Sequence, residues 1–162
     1  MTARVRDAVD GDAAAIVALN LESEAVLSPM DASRFSVLRA EAAYLRVIED
    51  DGAVVAFLMA FRERAAYDSL NFRWFDARYD AFLYVDRVVV SQAGQGRGFG
   101  AMLYADLFAF ARAAGVPRVT CEFDVVPRNV ASERFHAKHG FVEVGTQDLP
   151  GGKRVSLQGA TL

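Results

Sequence analysis

Residues 88–114, VVVSQAGQGRGFGAMLYADLFAFARAA, decide the fold of this chain. A run of three valines comes first and is typical of a buried strand, and the glycines that follow are typical of a turn. Apolar residues then recur at helical spacing, at Phe99, Leu103, Leu107, Phe110 and Ala114. The start of a helix offers unpaired backbone N–H groups and the positive end of the helix dipole, which favour phosphate. The stretch therefore predicts a strand, a phosphate-binding glycine turn (residues 94–100) and a long helix.

The spacing of the glycines excludes two common phosphate ligands. The dinucleotide pattern GxGxxG, started at Gly94 or Gly96, needs its third glycine at Phe99 or Ala101 and therefore fails. The triphosphate pattern needs Gly-Lys-Ser/Thr, a triplet that this sequence does not contain. A nucleotide-binding regulatory domain therefore has little support.

What the glycine turn does fit is Gln95-x-x-Gly98-x-Gly100, which resembles the Q/R-x-x-G-x-G/A signature of the GNAT superfamily of N-acetyltransferases. Further along the chain, residues 129–141 are similar to that family's second motif, Asn-x-x-Ala/Ser-x-x-x-Tyr-x-x-x-Gly-Phe. Two motifs in the right order are far more specific than either alone. The chain thus resembles a GNAT acetyltransferase.

The predicted elements match the order of that fold over nearly the whole chain. We expect one N-acetyltransferase domain over residues 1–162, of mixed α/β (α+β) class. Its mostly antiparallel sheet is flanked by helices in the order β-α-α-β-β-β-α-β-α-β-β. Residues 63–80 are expected to be irregular. The predicted strands cover residues 2–9, 44–49, 53–62, 81–90, 119–125, 141–149 and 154–157, and the predicted helices run from a cap at 10–12 to about 24 and over 31–43, 99–114 and 129–138.

Composition limits the class of protein. A length of 162 residues suits one domain with a real core. The single cysteine and the absence of an apolar segment at the start of the sequence lead us to expect a cytoplasmic protein. No apolar run reaches the roughly 18–20 residues of a membrane span. A net charge of −3 argues against nucleic acid as the main partner. The resemblance, and not the composition, implies a small-molecule or peptide amine as the partner, and a homodimer is a further option.

The resemblance implies that acetyl-CoA is the cofactor. Main-chain N–H groups from Gln95 to Ala101 would hold its pyrophosphate, and the pantetheine arm would pair with the strand edge at residues 88–90. A backbone N–H near Val89 or Val90 would polarise the thioester carbonyl. The side chain of Arg97 either adds charge to the phosphates or is solvated. The expected cofactor-binding residues are Val88, Val89, Val90, Gln95, Gly96, Arg97, Gly98, Phe99, Gly100, Ala101, Asn129, Ser132 and Phe135.

Acetyl transfer to an amine requires two proton movements, one from the amine and one to the leaving thiolate. Many family members carry a tyrosine acid where this chain has His136. That histidine is either the acid or only a cofactor contact. Glu122 is our first choice of base, with Asp124 and Asp86 as alternatives, although each could instead be an exposed carboxylate or an ion-pair partner. No metal is expected.

The resemblance places the amine acceptor near residues 20–31, 63–80 and 146–153. Asn20, Tyr67 and Trp74 are the expected substrate-binding residues. The aromatic residues between 67 and 84 either form a lid or wall for an apolar amine, or pack over the sheet or in a dimer contact. We expect an N-acetyltransferase that works through a ternary complex without a covalent enzyme intermediate. The alternative is a non-catalytic acyl-CoA-binding or sensing domain, and the sequence leaves the acceptor unidentified.

Overall fold

The structure, a computed structural model, describes residues 3–25 and 27–162. Its elements follow the order β1-α1-α2-β2-β3-α3-β4-α4-β5-α5-β6-β7. The strands are β1 (Arg4–Asp7), β2 (Tyr44–Asp50), β3 (Ala53–Arg62), β4 (Leu83–Val90), β5 (Arg118–Val126), β6 (Val142–Leu149) and β7 (Lys153–Thr161). The helices are α1 (Ala13–Glu22), α2 (Ala32–Glu41), α3 (Leu70–Asp76), α4 (Phe99–Ala113) and α5 (Val130–Lys138), with 3-10 turns at Asp10–Asp12 and Gln92–Gly94.

Contacts between residues divide the chain into two compact units. The first contains the residues up to Phe61 together with Val85–Phe110, and the second contains Arg62–Tyr84 and Ala111–Leu162. In the first unit, β1, β2, β3 and β4 pair in that order, with β1 and β3 both antiparallel to β2. In the second unit the order is β4-β5-β7-β6, and only the β4–β5 pair is parallel. The predicted mixed α/β fold with mostly antiparallel strands is therefore confirmed.

Local sequence signals explain most of the first unit. Asp31 caps α2, because its side chain accepts a hydrogen bond from the Arg34 backbone N–H. Asp51 and Gly52 both have positive φ, which allows the tight turn between β2 and β3. The predicted hairpin is thereby confirmed. Buried apolar side chains fill this unit, among them Ile16, Leu38, Val47, Ile48, Phe57 and Leu103.

The second unit differs from the sequence-based expectation at two places. Residues 63–80, which were expected to be irregular, contain α3, and the Ser69 side chain caps this helix by accepting a hydrogen bond from Phe72 N at 3.2 Å. A helix of seven residues rich in phenylalanine and tryptophan has weak propensity and forms because it buries its rings. The last strand, β7, is also longer than the predicted 154–157, since it pairs with both β5 and β6.

The ends of the other elements shift by a few residues, as fraying ends do. The first strand, predicted over residues 2–9, covers Arg4–Asp7, and Thr2 lies outside the described residues. In the described part of the chain, no helix is both long and apolar enough to cross a membrane.

Candidate functional site

The glycine turn in the first unit has open space at its centre. Gly96 and Gly98 have φ of 78° and 80°, and a Cβ built at either position would meet no atom within 4 Å. Gly94 is different, because a Cβ there would come within 3.0 Å of Ser91 Oγ and 3.1 Å of the Phe99 ring. Glycine is thus required at position 94 by close packing and at positions 96 and 98 by backbone conformation. Among the described residues, none approaches the positions that a Cβ at 96 or 98 would take.

The start of α4 presents backbone donors directly after this turn. The N–H of Met102 bonds to Gly98 O at 3.0 Å, and this is the bond that opens the backbone ladder of the helix. The N–H groups of Phe99, Gly100 and Ala101 precede it, where a helix has no internal acceptor to offer. The helix runs for 15 residues, so its dipole adds positive potential at these groups. Small donors, positive potential and open space together suit a phosphate group.

Two side chains of the turn have partners within the first unit. Gln95 Nε2 donates to Val90 O at 3.0 Å, which ties the turn back to the end of β4. The guanidinium of Arg97 lies 2.9 Å from an Asp50 carboxylate oxygen and 4.6 Å from the centroid of the Phe99 ring. The Arg97 side chain is 48% exposed and has an ion-pair partner and a ring contact beside the turn.

In the second unit, Glu122 forms a short hydrogen bond with a buried tyrosine. Tyr84 Oη donates to Glu122 Oε1 at 2.5 Å. The parallel register places Tyr84 beside Thr120, two residues before Glu122 and on the same face of β5. The hydroxyl of Thr120 is buried and has no hydrogen-bond partner in the described structure. This face therefore carries a small polar group of Tyr84, Thr120 and Glu122 within apolar surroundings.

The two alternative carboxylates are held by cations. Asp86, in the first unit, lies 2.7 Å from Arg87 Nε, and both side chains are buried. Asp124, in the second unit, lies 3.4 Å from Lys153 Nζ. Glu122 accepts a hydrogen bond from a neutral hydroxyl, that of Tyr84.

Three residues of the second motif are linked by hydrogen bonds along the first turns of α5. Asn129 Oδ1 accepts from the Ser132 N–H at 3.1 Å, which makes Asn129 the helix cap. His136 Nδ1 donates to Ser132 O at 2.7 Å and lies 3.2 Å from Ser132 Oγ. The imidazole is 7% exposed and packs against the rings of Phe123, Phe135 and Phe141 at 5.2–5.5 Å.

Burial lowers the pKa of His136 below its usual value of 6.5, although the hydrogen bond to Ser132 O opposes that shift. His136 is therefore neutral near pH 7, with its proton on Nδ1. Phe123, which it contacts, follows Glu122 in β5, and adjacent strand residues point to opposite faces. His136 and Glu122 thus lie on opposite faces of β5. His136 is thus a buried side chain that packs within the second unit, and its role toward a cofactor stays a prediction.

The three expected substrate-binding residues have different surroundings. Asn20, in the first unit, is 1% exposed, donates to Ser28 O at 3.1 Å and accepts from Arg87 at 2.9 Å. It therefore fixes the segment after α1. Tyr67 and Trp74, in the second unit, are partly exposed. The Tyr67 ring contacts that of Phe72 at 5.7 Å.

Most of the aromatic stretch belongs to the core of the second unit. Four of its rings are buried and contact one another in tilted or edge-on arrangements, those of Phe72, Phe75, Phe82 and Tyr84. For these four, packing over the sheet is the correct interpretation. Sequence reasoning did not identify Tyr84 as a partner of Glu122, because 38 residues separate them and only the β4–β5 register brings them together.

The described residues contain no group of three or more His, Cys, Asp or Glu that could hold a metal ion.

Comparison with solved structures shows the same fold along the full chain. The chain is similar to Ard1 from Thermoplasma volcanium, with 16% identity, a TM-score of 0.79 and coverage of 100% of this chain and 99% of that one. It is similar to a ribosomal-protein-alanine N-acetyltransferase from Brucella melitensis, with 22% identity, a TM-score of 0.75 and coverage of 98% and 99%. It is also similar to yncA from Salmonella typhimurium, which was solved with its cofactor acetyl-CoA, with 21% identity, a TM-score of 0.75 and coverage of 100% and 95%.

A comparison with curated proteins finds none that matches. The family model described as "Acetyltransferase (GNAT) family" matches residues 15–141. That range contains the glycine turn, Glu122 and α5, and it spans well over half of the sequence. The chain therefore belongs to the acetyltransferase (GNAT) family.

Proposed function

We propose that this protein is an acetyl-CoA-dependent N-acetyltransferase that moves the acetyl group directly to an amine in a ternary complex. The observation that carries the proposal is the glycine turn, which has open space beside Gly96 and Gly98 and is followed directly by the backbone donors at the start of α4. Membership of the family supports it, as does the acetyl-CoA in the solved structure of yncA. We further propose that the protein forms one domain and acts in the cytoplasm, where its single cysteine would stay reduced.

The first unit offers the groups that would hold the cofactor. The N–H groups between Gln95 and Ala101 would bind the pyrophosphate, with Arg97 adding charge. The edge of β4 at Val88, Val89 and Val90 would pair with the pantetheine arm, and one of its N–H groups would polarise the thioester carbonyl. Acetyl-CoA, when bound, supplies the acetyl group and the thiolate leaving group. The family's second motif also predicts cofactor contacts at Asn129, Ser132 and Phe135.

In this proposal Glu122 is the general base. An ammonium acceptor must lose a proton before its nitrogen can attack, and a carboxylate within reach can accept that proton directly or through water. His136 serves as a contact residue, because a buried neutral imidazole with Nδ1 bonded to Ser132 O has no proton on Nε2 to donate. The second proton of the nitrogen passes to solvent as the amide forms, and solvent protonates the leaving thiolate.

The acceptor is a primary amine in this proposal, on a small molecule or at a peptide terminus. The similar protein from Brucella melitensis is named as acting on an alanine of a ribosomal protein, which makes peptide N-termini one class to test. Tyr67 and Trp74 are the residues we propose to contact the acceptor, since both are partly exposed in the second unit. Asn20 would act indirectly, by holding the segment that contains Ser28.

The decisive experiment measures free thiol released from acetyl-CoA with and without a panel of amines and peptide N-termini. We expect release only when a suitable amine is present. Glu122→Gln should lower kcat about a hundredfold or more while acetyl-CoA binding by calorimetry stays the same. Asp124→Asn is the matched control, because it removes the next carboxylate on the same face. Tight binding without turnover across the whole panel would contradict the proposal and support a non-catalytic acyl-CoA-binding domain.

A further inference from the structure

The hydroxyl of Tyr84 lies in the second unit at hydrogen-bond distance from the carboxylate that we assign as base. We propose that Tyr84 is a positioning residue: its hydroxyl fixes the rotamer of Glu122 and so sets where the second carboxylate oxygen lies. This inference rests on the proposed function, because it assigns a role toward Glu122 in the same reaction.

The ring of Tyr84 is itself held in place. The residue is 1% exposed, and its ring centroid lies 5.7 Å from that of Phe72 and 5.8 Å from that of Phe75. Pairing of Leu83 with Val119 and of Tyr84 with Thr120 fixes the backbone of β4 beside β5. Tyr84 Oη therefore occupies one position, 2.5 Å from Glu122 Oε1. A hydrogen bond from a fixed donor restricts a carboxylate that would otherwise sample several rotamers.

The neighbouring hydroxyl shows that this bond is specific. Thr120 lies directly beside Tyr84 in the register, and its Oγ1 is buried without a hydrogen-bond partner among the described residues. Tyr84 nevertheless directs its hydroxyl to Glu122, two residues further along β5. The aromatic cluster sets this direction, because rotation of the ring would break its contacts with Phe72 and Phe75.

The role of Tyr84 in the proton transfer follows from this geometry. Glu122 takes one proton from the ammonium group of the acceptor and becomes a neutral carboxylic acid, and the nitrogen keeps the electron pair with which it attacks. Tyr84 keeps its own proton throughout and donates to Oε1 before and after the transfer. Donation favours the ionised carboxylate, so the hydroxyl lowers the basicity of Glu122 slightly while it fixes the orientation.

The test compares Tyr84→Phe with Tyr44→Phe. Tyr44 is the matched control because it is also buried and its hydroxyl donates to a carboxylate, Asp106, at 2.7 Å, but in the first unit. We expect Tyr84→Phe to lower kcat about tenfold, the rate equivalent of one hydrogen bond to a charged group. The KM for acetyl-CoA should stay within about twofold of the wild-type value, since the glycine turn is unchanged. Tyr44→Phe should leave both constants unchanged.

The pH profile supplies a readout that a purely structural role would not move. Loss of the donor should shift the acidic limb of kcat/KM to higher pH, because the ionised form of Glu122 loses a stabilising bond. Replacing Tyr84 with 3-fluorotyrosine keeps the packing and strengthens the donor, so it should shift the limb the other way. The titratable neighbours of Glu122 include Asp124, held by Lys153, and the buried thiol of Cys121, and these variants leave all of them in place.

The outcomes separate this inference from the function on which it rests. Loss of rate in Glu122→Gln together with an unchanged kcat and pH profile in Tyr84→Phe would overturn the role of Tyr84 alone. Full activity of Glu122→Gln would overturn the base assignment and the inference with it. If Tyr84→Phe does not fold, an unshifted pH profile in the 3-fluorotyrosine variant would count against the inference.

Discussion

The indole of Trp74 lies so close to the backbone of Gly145 that a Cβ at position 145 would come within 2.4 Å of Trp74 Cζ2. A second contact lies nearby, where Gln147 Nε2 donates to Asn71 Oδ1 at 2.9 Å. Gly145 and Gln147 belong to β6, whereas Asn71 and Trp74 belong to α3. These contacts attach α3 to the sheet of the second unit, on the face that also carries Glu122. Two contacts, at Asn71 and at Trp74, therefore pack α3 against β6.

The first prediction concerns Gly145. Gly145→Ala should destabilise the protein by about 1–3 kcal/mol, because the added methyl group overlaps the indole and displaces it. Trp74 is the single tryptophan of the chain, so its fluorescence reports the displacement directly. Gly159→Ala is the control, since a Cβ there meets Val144 at an ordinary 3.5 Å. Equal urea-unfolding curves and emission spectra for the two variants would contradict the prediction.

The second prediction concerns the glycine turn. Gly98→Ala should weaken acetyl-CoA binding about tenfold or more. The positive φ at this position is about 1–2 kcal/mol less favourable for alanine than for glycine, and the added methyl group enters the space proposed for the phosphate. Gly115→Ala imposes a similar backbone strain, since Gly115 has φ of 72° and open space, but lies beyond the far end of α4. Calorimetry should show wild-type affinity for that control. Similar losses of affinity in both variants would mean that strain, and not the site, is responsible.

The third prediction concerns pH and His136. Its pKa lies below 6.5 in the native state because the ring is buried, so the unfolded chain takes up the proton first as the pH falls. The native state should therefore lose up to about 1.4 kcal/mol of stability per pH unit from this residue as the pH drops below 6.5. His136→Asn should flatten that slope when unfolding is followed in urea at several pH values. His139→Asn, which removes the other histidine, should keep most of the slope, because His139 is the smallest of the influences on the pKa of His136. A wild-type slope in His136→Asn would refute this account.

The fourth prediction concerns the buried ion pair of the first unit. Arg87 and Asp86 are 4% and 5% exposed, and Arg87 also donates to Asn20 and to Ser28 O. Arg87→Met should lower the free energy of unfolding by about 3–5 kcal/mol, because it removes the cation that faces a buried carboxylate. Arg39→Met breaks the solvent-accessible ion pair with Asp10 and should lower the free energy of unfolding by at most about 1 kcal/mol. Chemical denaturation measures both, and a cost for Arg87→Met near that of the control would argue against a buried network.

Much of the fold was predictable because its signals are local. The turn residues Asp51 and Gly52 predicted the hairpin, and both adopt the positive φ that the turn needs. The apolar spacing from Phe99 onward predicted α4. The helix α3 was not predictable in this way. Seven residues give too few turns for a period to be recognised, and their stability comes from rings such as Phe72 and Phe75 that are buried by distant strands.

The sequence by itself determined the family, the glycine turn and the choice of Glu122 as a candidate, because motif spacing and residue type are properties of neighbouring positions. The tertiary structure alone decided what surrounds those residues. It placed the hydroxyl of Tyr84 on Glu122 through the β4–β5 register, and it buried His136 among three rings on the opposite face of β5. Strand register and burial depend on contacts between residues far apart in the chain, and local spacing carries no information about them.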